Sequence, residues 1–176
     1  MDIKLTDNDV QKLLVLCKEI LTQYNIQLEE KCKGTINITA INSEKSFVLS
    51  YFVRPGKVSL NFRETEFNIC LIRINLNNGF HKNSNNEIIR GNRINIYSEE
   101  EYLRKNDGST YMRAYALPYK TFEDNSDFVN QLFALLEYTK NDTMIILTLK
   151  RIYFFKVVIQ CLKMKLNLLV KNISTI

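Results

Sequence analysis

Leu71–Tyr97 reads LIRINLNNGFHKNSNNEIIRGNRINIY. Ile72, Ile74 and Leu76 alternate with Leu71, Arg73 and Asn75. Ile94 and Ile96 alternate with Arg93, Asn95 and Tyr97. Apolar residues at every second position mark a strand with one buried face. The stretch therefore reads as strand, long asparagine-rich loop, strand. It carries the chain's single histidine, His81, together with Arg73, Arg90 and Arg93.

The same period of two extends outward in both directions. Residues 35–41, 46–53, 57–63 and 67–76 predict strands before the loop, and 92–97 and 111–117 after it. Pro55-Gly56, inside Arg54–Lys57, supplies a tight turn. Short sequential connections favour antiparallel neighbours. Upstream, Thr6 with Asp9 three residues on forms a capping-box-like start. Val10, Leu13, Leu14, Cys17, Ile20, Leu21 and Tyr24 then recur at helical spacing as one core stripe. Downstream, Asn125 or Ser126 caps a helix over 127–139 whose apolar residues include Phe128, Leu132, Leu135 and Leu136. Ser98–Asn106 reads as a short helix or an exposed loop, with Glu99–Glu101 as a solvated face. The fold class is α+β: an N-terminal helix, an antiparallel sheet of five or six strands and a C-terminal helix, in one domain over residues 1–140. Two helices on one sheet face leave the other face open.

Residues 141–176 are a basic hydrophobic C-terminal extension. Acids and bases cancel over residues 1–140. The net charge of +5 therefore sits in the extension, where Lys150, Arg151, Lys156, Lys163, Lys165 and Lys171 face one acid, Asp142. The alkaline pI is a local property and does not make the whole chain a nucleic-acid binder. The uncharged run Thr143–Leu149 is far short of the ~20 residues a bilayer span needs, so no integral membrane span is expected. Extra core elements, a surface for an acidic membrane or partner, and an aberrant extension compete as readings of this segment, with extra core ranked first.

Hydrophobic content of 45% with 24% charged residues fits a globular chain rather than a disordered one. Abundant Asn, Ile, Lys, Phe and Tyr, with only two Pro and no Trp, suggest an AT-rich coding genome, such as a low-GC bacterium or its phages and plasmids. The four cysteines form no Cys-x-x-Cys pair and read as buried reduced thiols. The opening MDIKLTDNDVQ is too polar for a signal peptide. The expected compartment is the cytoplasm, of the bacterium or of an infected host cell. No Gly-Lys-Ser/Thr phosphate loop, Gly-x-Ser-x-Gly or His-Glu-x-x-His is present, so neither a cofactor nor a metal site is expected.

If the apolar sets face the helices, the open face gathers Asn61, Arg63, Arg73, Asn75, Arg93, Asn95, Tyr97, Tyr111, Arg113 and Tyr115, with His81 and Asn83 in the loop beside it. Arginine grips phosphate or carboxylate bidentately, asparagine reads amide-like or base edges, and tyrosine stacks. The mixture suits single-stranded RNA and suits an acidic protein surface equally well. Strand propensity alone also makes the outer face of a half-exposed sheet polar. A second chemistry uses His81 as general base, Arg73 or Arg93 against developing charge and Tyr97 as proton donor, in a metal-independent ribonuclease.

Leu71-Ile72-Arg73-Ile74-Asn75-Leu76, His81-x-Asn83, Arg93-Ile94-Asn95-Ile96-Tyr97 and Ala114-Tyr115-Ala116-Leu117-Pro118 together resemble an uncharacterised family of small bacterial proteins. Its members carry a Leu-x-Arg-Leu-Asp strand, a His-x-Asn loop, a His-x-His-Ile-Tyr strand, a Trp-Ala-x-Pro-Leu-like strand and a final helix. The likeness spans residues 5–140, and Arg73, His81, Asn83 and Tyr97 carry over. Arg93 and Asn95 stand where the family has two histidines, and Asn75 where it has aspartate. The resemblance implies mobile-element cargo engaged in defence or counter-defence. The leading expectation is thus a non-enzymatic binding or inhibitor protein of phage–bacterium conflict. Like an anti-CRISPR protein, it would block a nucleic-acid-handling effector, a protein or nucleoprotein, through the Arg/Asn/Tyr face. The alternatives are a toxin-like endoribonuclease using His81 and a nucleic-acid-binding regulator of RNA or DNA.

Overall fold

A computed structural model describes residues 5–141 and 147–151. In chain order the elements are α1 (Asp7–Val15), β1 (Lys18–Glu19), β2 (Tyr24–Leu28), β3 (Cys32–Ala40), β4 (Ser46–Arg54), β5 (Lys57–Glu64), β6 (Cys70–Leu76), β7 (Phe80–Lys82), β8 (Ile88–Arg90), β9 (Arg93–Tyr97), α2 (Glu99–Lys105), β10 (Met112–Ala116), α3 (Phe128–Tyr138) and β11 (Leu147–Arg151). One antiparallel sheet of seven strands runs β1-β3-β4-β5-β6-β9-β10. The six strands expected from the sequence are its consecutive members from β3 onward. The seventh, β1, is two residues long and falls below any periodic signal. Pro55-Gly56 closes β4 to β5 with Gly56 at φ 69°, the left-handed position that a type II turn gives to glycine.

Alternation puts Ile36, Ile38, Phe47, Leu49, Leu60, Phe62, Ile72, Ile74 and Ile94 into one buried cluster with Val10, Leu13 and Leu14 of α1 and Leu132, Leu135 and Leu136 of α3. Each such side chain contributes about 1.5–3 kcal/mol when fully withdrawn from water. Thr6 closes the start of α1 as a true capping box: its hydroxyl accepts from Asp9 N–H, and the Asp9 carboxylate accepts from Thr6 N–H.

The helical stripe does not continue to Tyr24 as its spacing implied. Helix α1 ends at Val15, and Leu16 turns out of helical geometry. Lys18 and Glu19 then pair with Ala40 and Thr39 at the sheet edge. Strand pairing overrides helical periodicity here, which leaves Cys17 and Leu21 exposed. Lys18 is fully buried. Its ammonium donates to the carbonyls of Leu14 (3.1 Å), Leu16 (2.8 Å) and Thr139 (2.8 Å), at the C-terminal ends of both α1 and α3. It also lies over the Phe47 ring at 5.0 Å. Helix C-termini are electronegative, so one cation serves both.

The segment 77–92, read as a loop, contains the hairpin β7–β8 in register Phe80↔Arg90, His81↔Ile89 and Lys82↔Ile88. Ser98–Asn106 holds α2 between its Ser98 and Asn106 caps. Of its acidic triplet, read as a solvated face, Glu101 alone is withdrawn from solvent. Glu101 is fully buried, Glu99 accepts from Asp7 N–H, and Glu100 pairs with Arg104 and Arg113.

Within the extension, β11 pairs in parallel with β2. The competing readings of residues 141–176 otherwise concern positions outside the described residues. Among the described residues no helix is long and apolar enough to cross a membrane.

Burial lowers the Lys18 pKa from its ordinary value to about 8. The unfolded chain then holds more protons than the folded one between pH 8 and the ordinary lysine value, so stability rises with pH across that window. Lys18→Met strands three buried carbonyls and is expected to cost about 3 kcal/mol in urea unfolding at pH 7. The gap between the wild type and this variant should widen as pH rises above 8.

Candidate anion site under the β7–β8 hairpin

Strand β10 is the last strand of the sheet. Tyr111 C=O accepts from Ser98 N–H on the β9 side, so alternation turns the backbone of Met112 and Ala114 outward. Asn83 meets that edge with its side-chain amide. Its Nδ2 donates to Ala114 C=O (3.0 Å), and its Oδ1 accepts from Ala114 N–H (2.8 Å). The carboxamide thereby supplies one rung of a strand that is not there. His81, two residues earlier, hydrogen-bonds the backbone of Met112. The His-x-Asn spacing matches the two-residue repeat of the strand edge it covers.

Two further ties hold the hairpin. Glu101 of α2 accepts from Ser84 N–H (2.8 Å) and Ser84 Oγ (3.0 Å), and Lys105 Nζ donates to Lys82 C=O (2.8 Å). At the neck, Arg93 Nη1 donates to Gly91 C=O (2.7 Å), Gly79 C=O (3.1 Å) and Asn77 Oδ1 (3.3 Å). The neck is close-packed at Gly79, where a Cβ would lie 2.7 Å from Asn77 Oδ1 and displace that side chain.

Between the hairpin and the sheet lies a cavity of about 420 Å³. Arg73, Asn75, Arg93 and Asn95 line it from the sheet, and His81 and the Ser109–Met112 segment from the side. The register fixes that quartet, since Arg73 stands opposite Asn95 and Asn75 opposite Arg93. Arg73 Nε donates to Asn61 Oδ1 (2.7 Å), and Asn95 Nδ2 to Arg73 C=O (3.1 Å). Arg93 is only 8% exposed. Neither it, Arg73 nor Arg63 takes part in any ion pair among the described residues. Burying a guanidinium costs several kcal/mol unless charge and hydrogen bonds offset it. Burial accordingly pushes the Arg93 pKa down. Three buried polar atoms around this cavity have no partner: Arg93 Nε, Asn95 Oδ1 and His81 Nε2. Burial first, and then the nearby Lys105 charge, lowers the His81 pKa, so the ring is neutral at pH 7.

The sequence-based face divides in two. Asn61, Arg63, Arg73, Asn75, Arg93 and Asn95 do share it. Arg113 and Tyr115 do not, because Arg113 pairs with Ile96 and Tyr115 with Ile94, on the side of the apolar core. Small apolar Met112, Ala114 and Ala116 occupy the polar side instead, and plain alternation gave that set to the core. Arg113 binds Glu100 at 3.0 Å, and Tyr115 stacks on Tyr119 at 4.6 Å. Both line a second cavity of about 310 Å³, which Tyr97 shares. The Tyr97 hydroxyl donates to Leu5 C=O, and burial with nearby Asp7 and Glu99 pushes its pKa up to about 12. Tyr97 is thus held apart from the cavity that His81 and Arg73 line. Tyr111 remains at the first cavity, with its ring 5.5 Å from Tyr97. Among the described residues no group of three His, Cys, Asp or Glu could hold a metal ion.

Sequence reasoning missed Asn77, Gly79 and Gly91 at the neck and Ser109–Thr110 at the rim. The paired flanks Asn77-Asn78-Gly79 and Arg90-Gly91-Asn92 were the available signal for a hairpin base. A family model described as a family of unknown function, DUF6978, matches residues 5–140. No curated protein and no solved structure matches the chain.

Asn83→Ala removes both partners of the Ala114 backbone at a cost of about 1–3 kcal/mol each for buried unsatisfied groups. Hydrogen exchange of the Ala114 amide should accelerate at least tenfold, with Asn83→Asp, which retains the acceptor, in between. Unchanged exchange in Asn83→Ala would show that the edge is held by something else.

Proposed function

The chain belongs to the DUF6978 family, and for this member we propose a non-enzymatic role, the binding of an anionic partner on the polar sheet face. One observation carries the reading: Arg93 is more than nine-tenths buried beside Arg73, and no carboxylate pairs with either among the described residues. A fold that holds a buried guanidinium beside a second, half-buried one with no counter-charge gains by receiving negative charge from outside. Arg63 extends the basic line along the same face, where it donates to Asn68 Oδ1 (2.8 Å). The setting we favour is inhibition in phage–bacterium conflict, in the cytoplasm, with a nucleic-acid-handling effector as partner. A nucleoprotein offers both phosphate and acidic side chains to such a face.

The endoribonuclease reading has less support. General acid–base cleavage needs a second proton-transfer group within reach of the first. Tyr97, the group chosen for that role, spends its hydroxyl on Leu5. His81 hydrogen-bonds the backbone of Met112 and lies beside the cationic Lys105, an environment for a fixed neutral ring.

The test is capture of partners from a low-GC bacterial host by tagged wild-type protein and by Arg63→Ala/Arg73→Ala, with and without ribonuclease. Arg93 stays intact because it holds the hairpin neck. The wild type should recover a stoichiometric protein complex that survives ribonuclease, and the double variant should lose at least tenfold of it. Equal recovery by the two proteins would overturn the reading.

A further inference from the structure

We propose that the 420 Å³ cavity is a binding site for a ribose phosphate, met either as a free nucleotide or at the end of an RNA strand. The proposal rests on the anionic reading above and adds the chemistry of the ligand. Arg73 and Arg93 on its floor call for an acceptor-rich anion. The other unpartnered atoms ask for something different. Asn95 Nδ2 is committed to Arg73 C=O (3.1 Å), which fixes the amide orientation and leaves Oδ1 as a bare acceptor. The residue is only 2% exposed. The His81 ring is neutral, and its hydrogen bond to Met112 favours the protonated state. The ring therefore donates to that backbone, which leaves Nε2 as a second bare acceptor.

The cavity thus pairs a positive charge with two buried acceptors; elsewhere among the described residues the buried side-chain polar atoms without a partner are Gln131 Oε1 and Asn141 Oδ1. A phosphate dianion satisfies the arginines but carries a single P–OH donor, one short of the two acceptors. An amine offers donors, but its cation would sit beside two guanidinium groups. A phosphorylated sugar satisfies both demands: phosphate oxygens accept from Arg73 and Arg93, and hydroxyls donate to Asn95 and His81. The volume is far above that of one phosphate and falls within the roughly 300–1,000 Å³ of small-molecule sites. Tyr111 in the lining presents an aromatic ring against which a base can stack.

Asn75 gives a clean probe. It stands directly opposite Arg93, and its Oδ1 accepts from Ser59 Oγ (3.3 Å). Asn75→Asp keeps that acceptor and places a carboxylate beside the arginines, where it competes with the ligand. In isothermal titration calorimetry in a phosphate-free buffer, ribose 5-phosphate and AMP should bind saturably. Adenosine and inorganic phosphate should bind at least tenfold more weakly. Asn75→Asp should weaken AMP at least tenfold while its thermal unfolding stays cooperative. A 5′-phosphorylated RNA oligonucleotide that binds more tightly than AMP would place the natural source at a strand end, and one that binds more weakly would make it the free nucleotide. Inorganic phosphate binding as tightly as ribose 5-phosphate, no binding of any probe, or an unaltered Asn75→Asp would overturn the proposal. Should lysate capture still depend on Arg63 and Arg73 when no probe binds, the docking reading would survive and this inference alone would fall.

Discussion

The pairing of the Asn83 amide with the Ala114 backbone is the contact on which the functional half of the molecule depends. A sheet that ends in β10 presents a row of unpaired N–H and C=O groups, which invite pairing with other chains. Here one carboxamide occupies both groups of Ala114, at 2.8 and 3.0 Å. The hairpin carrying it is thereby fixed against the edge, and the polar face acquires a wall. Glu101 and Lys105 of α2 grip the same loop from the other side. The cavity exists because a side chain does the work of a missing strand.

Two buried cations show the difference between structure and site. Lys18 is fully enclosed, lies over the Phe47 ring and donates to three carbonyls at two helix ends. It has three donors and three acceptors, so its hydrogen bonding is complete. Arg93 is almost as buried, yet its Nε has no partner. Its residue lines a cavity, whereas Lys18 lines neither cavity described above. Both cations hold the fold together, but only Arg93 keeps an unpartnered N–H and lines a cavity.

Much of this was legible in the sequence, and the failures have physical causes. Period-two runs located six of the seven strands of the main sheet, because one buried face forces the alternation, but not β2, which pairs outside that sheet. The Thr6/Asp9 capping box was visible for the same local reason. The extent of α1 was misread because Ile20 returns to the core just after β1, the strand that pairs with β3, and a seven-residue stripe does not reveal that switch. The faces of β10 were reversed because Met112, Ala114 and Ala116 are the apolar set, although the register turns them toward Asn95 and Arg93. Arg73, Asn75, Arg93 and Asn95 were found together because adjacent strands in register must share a face. The role of Asn83 could not be read, since its partner lies 31 residues away.

The most direct test of the account is the arginine side-chain ¹⁵N–¹H spectrum during titration with ribose 5-phosphate. An anion seated between β6 and β9 requires the Nε–Hε resonances of Arg73 and Arg93 to move together to a common saturation point, while that of Arg113, neutralised by Glu100, stays still. If Arg93 does not move, or if Arg113 moves as far as Arg73, the uncompensated charge under the hairpin is not a binding site.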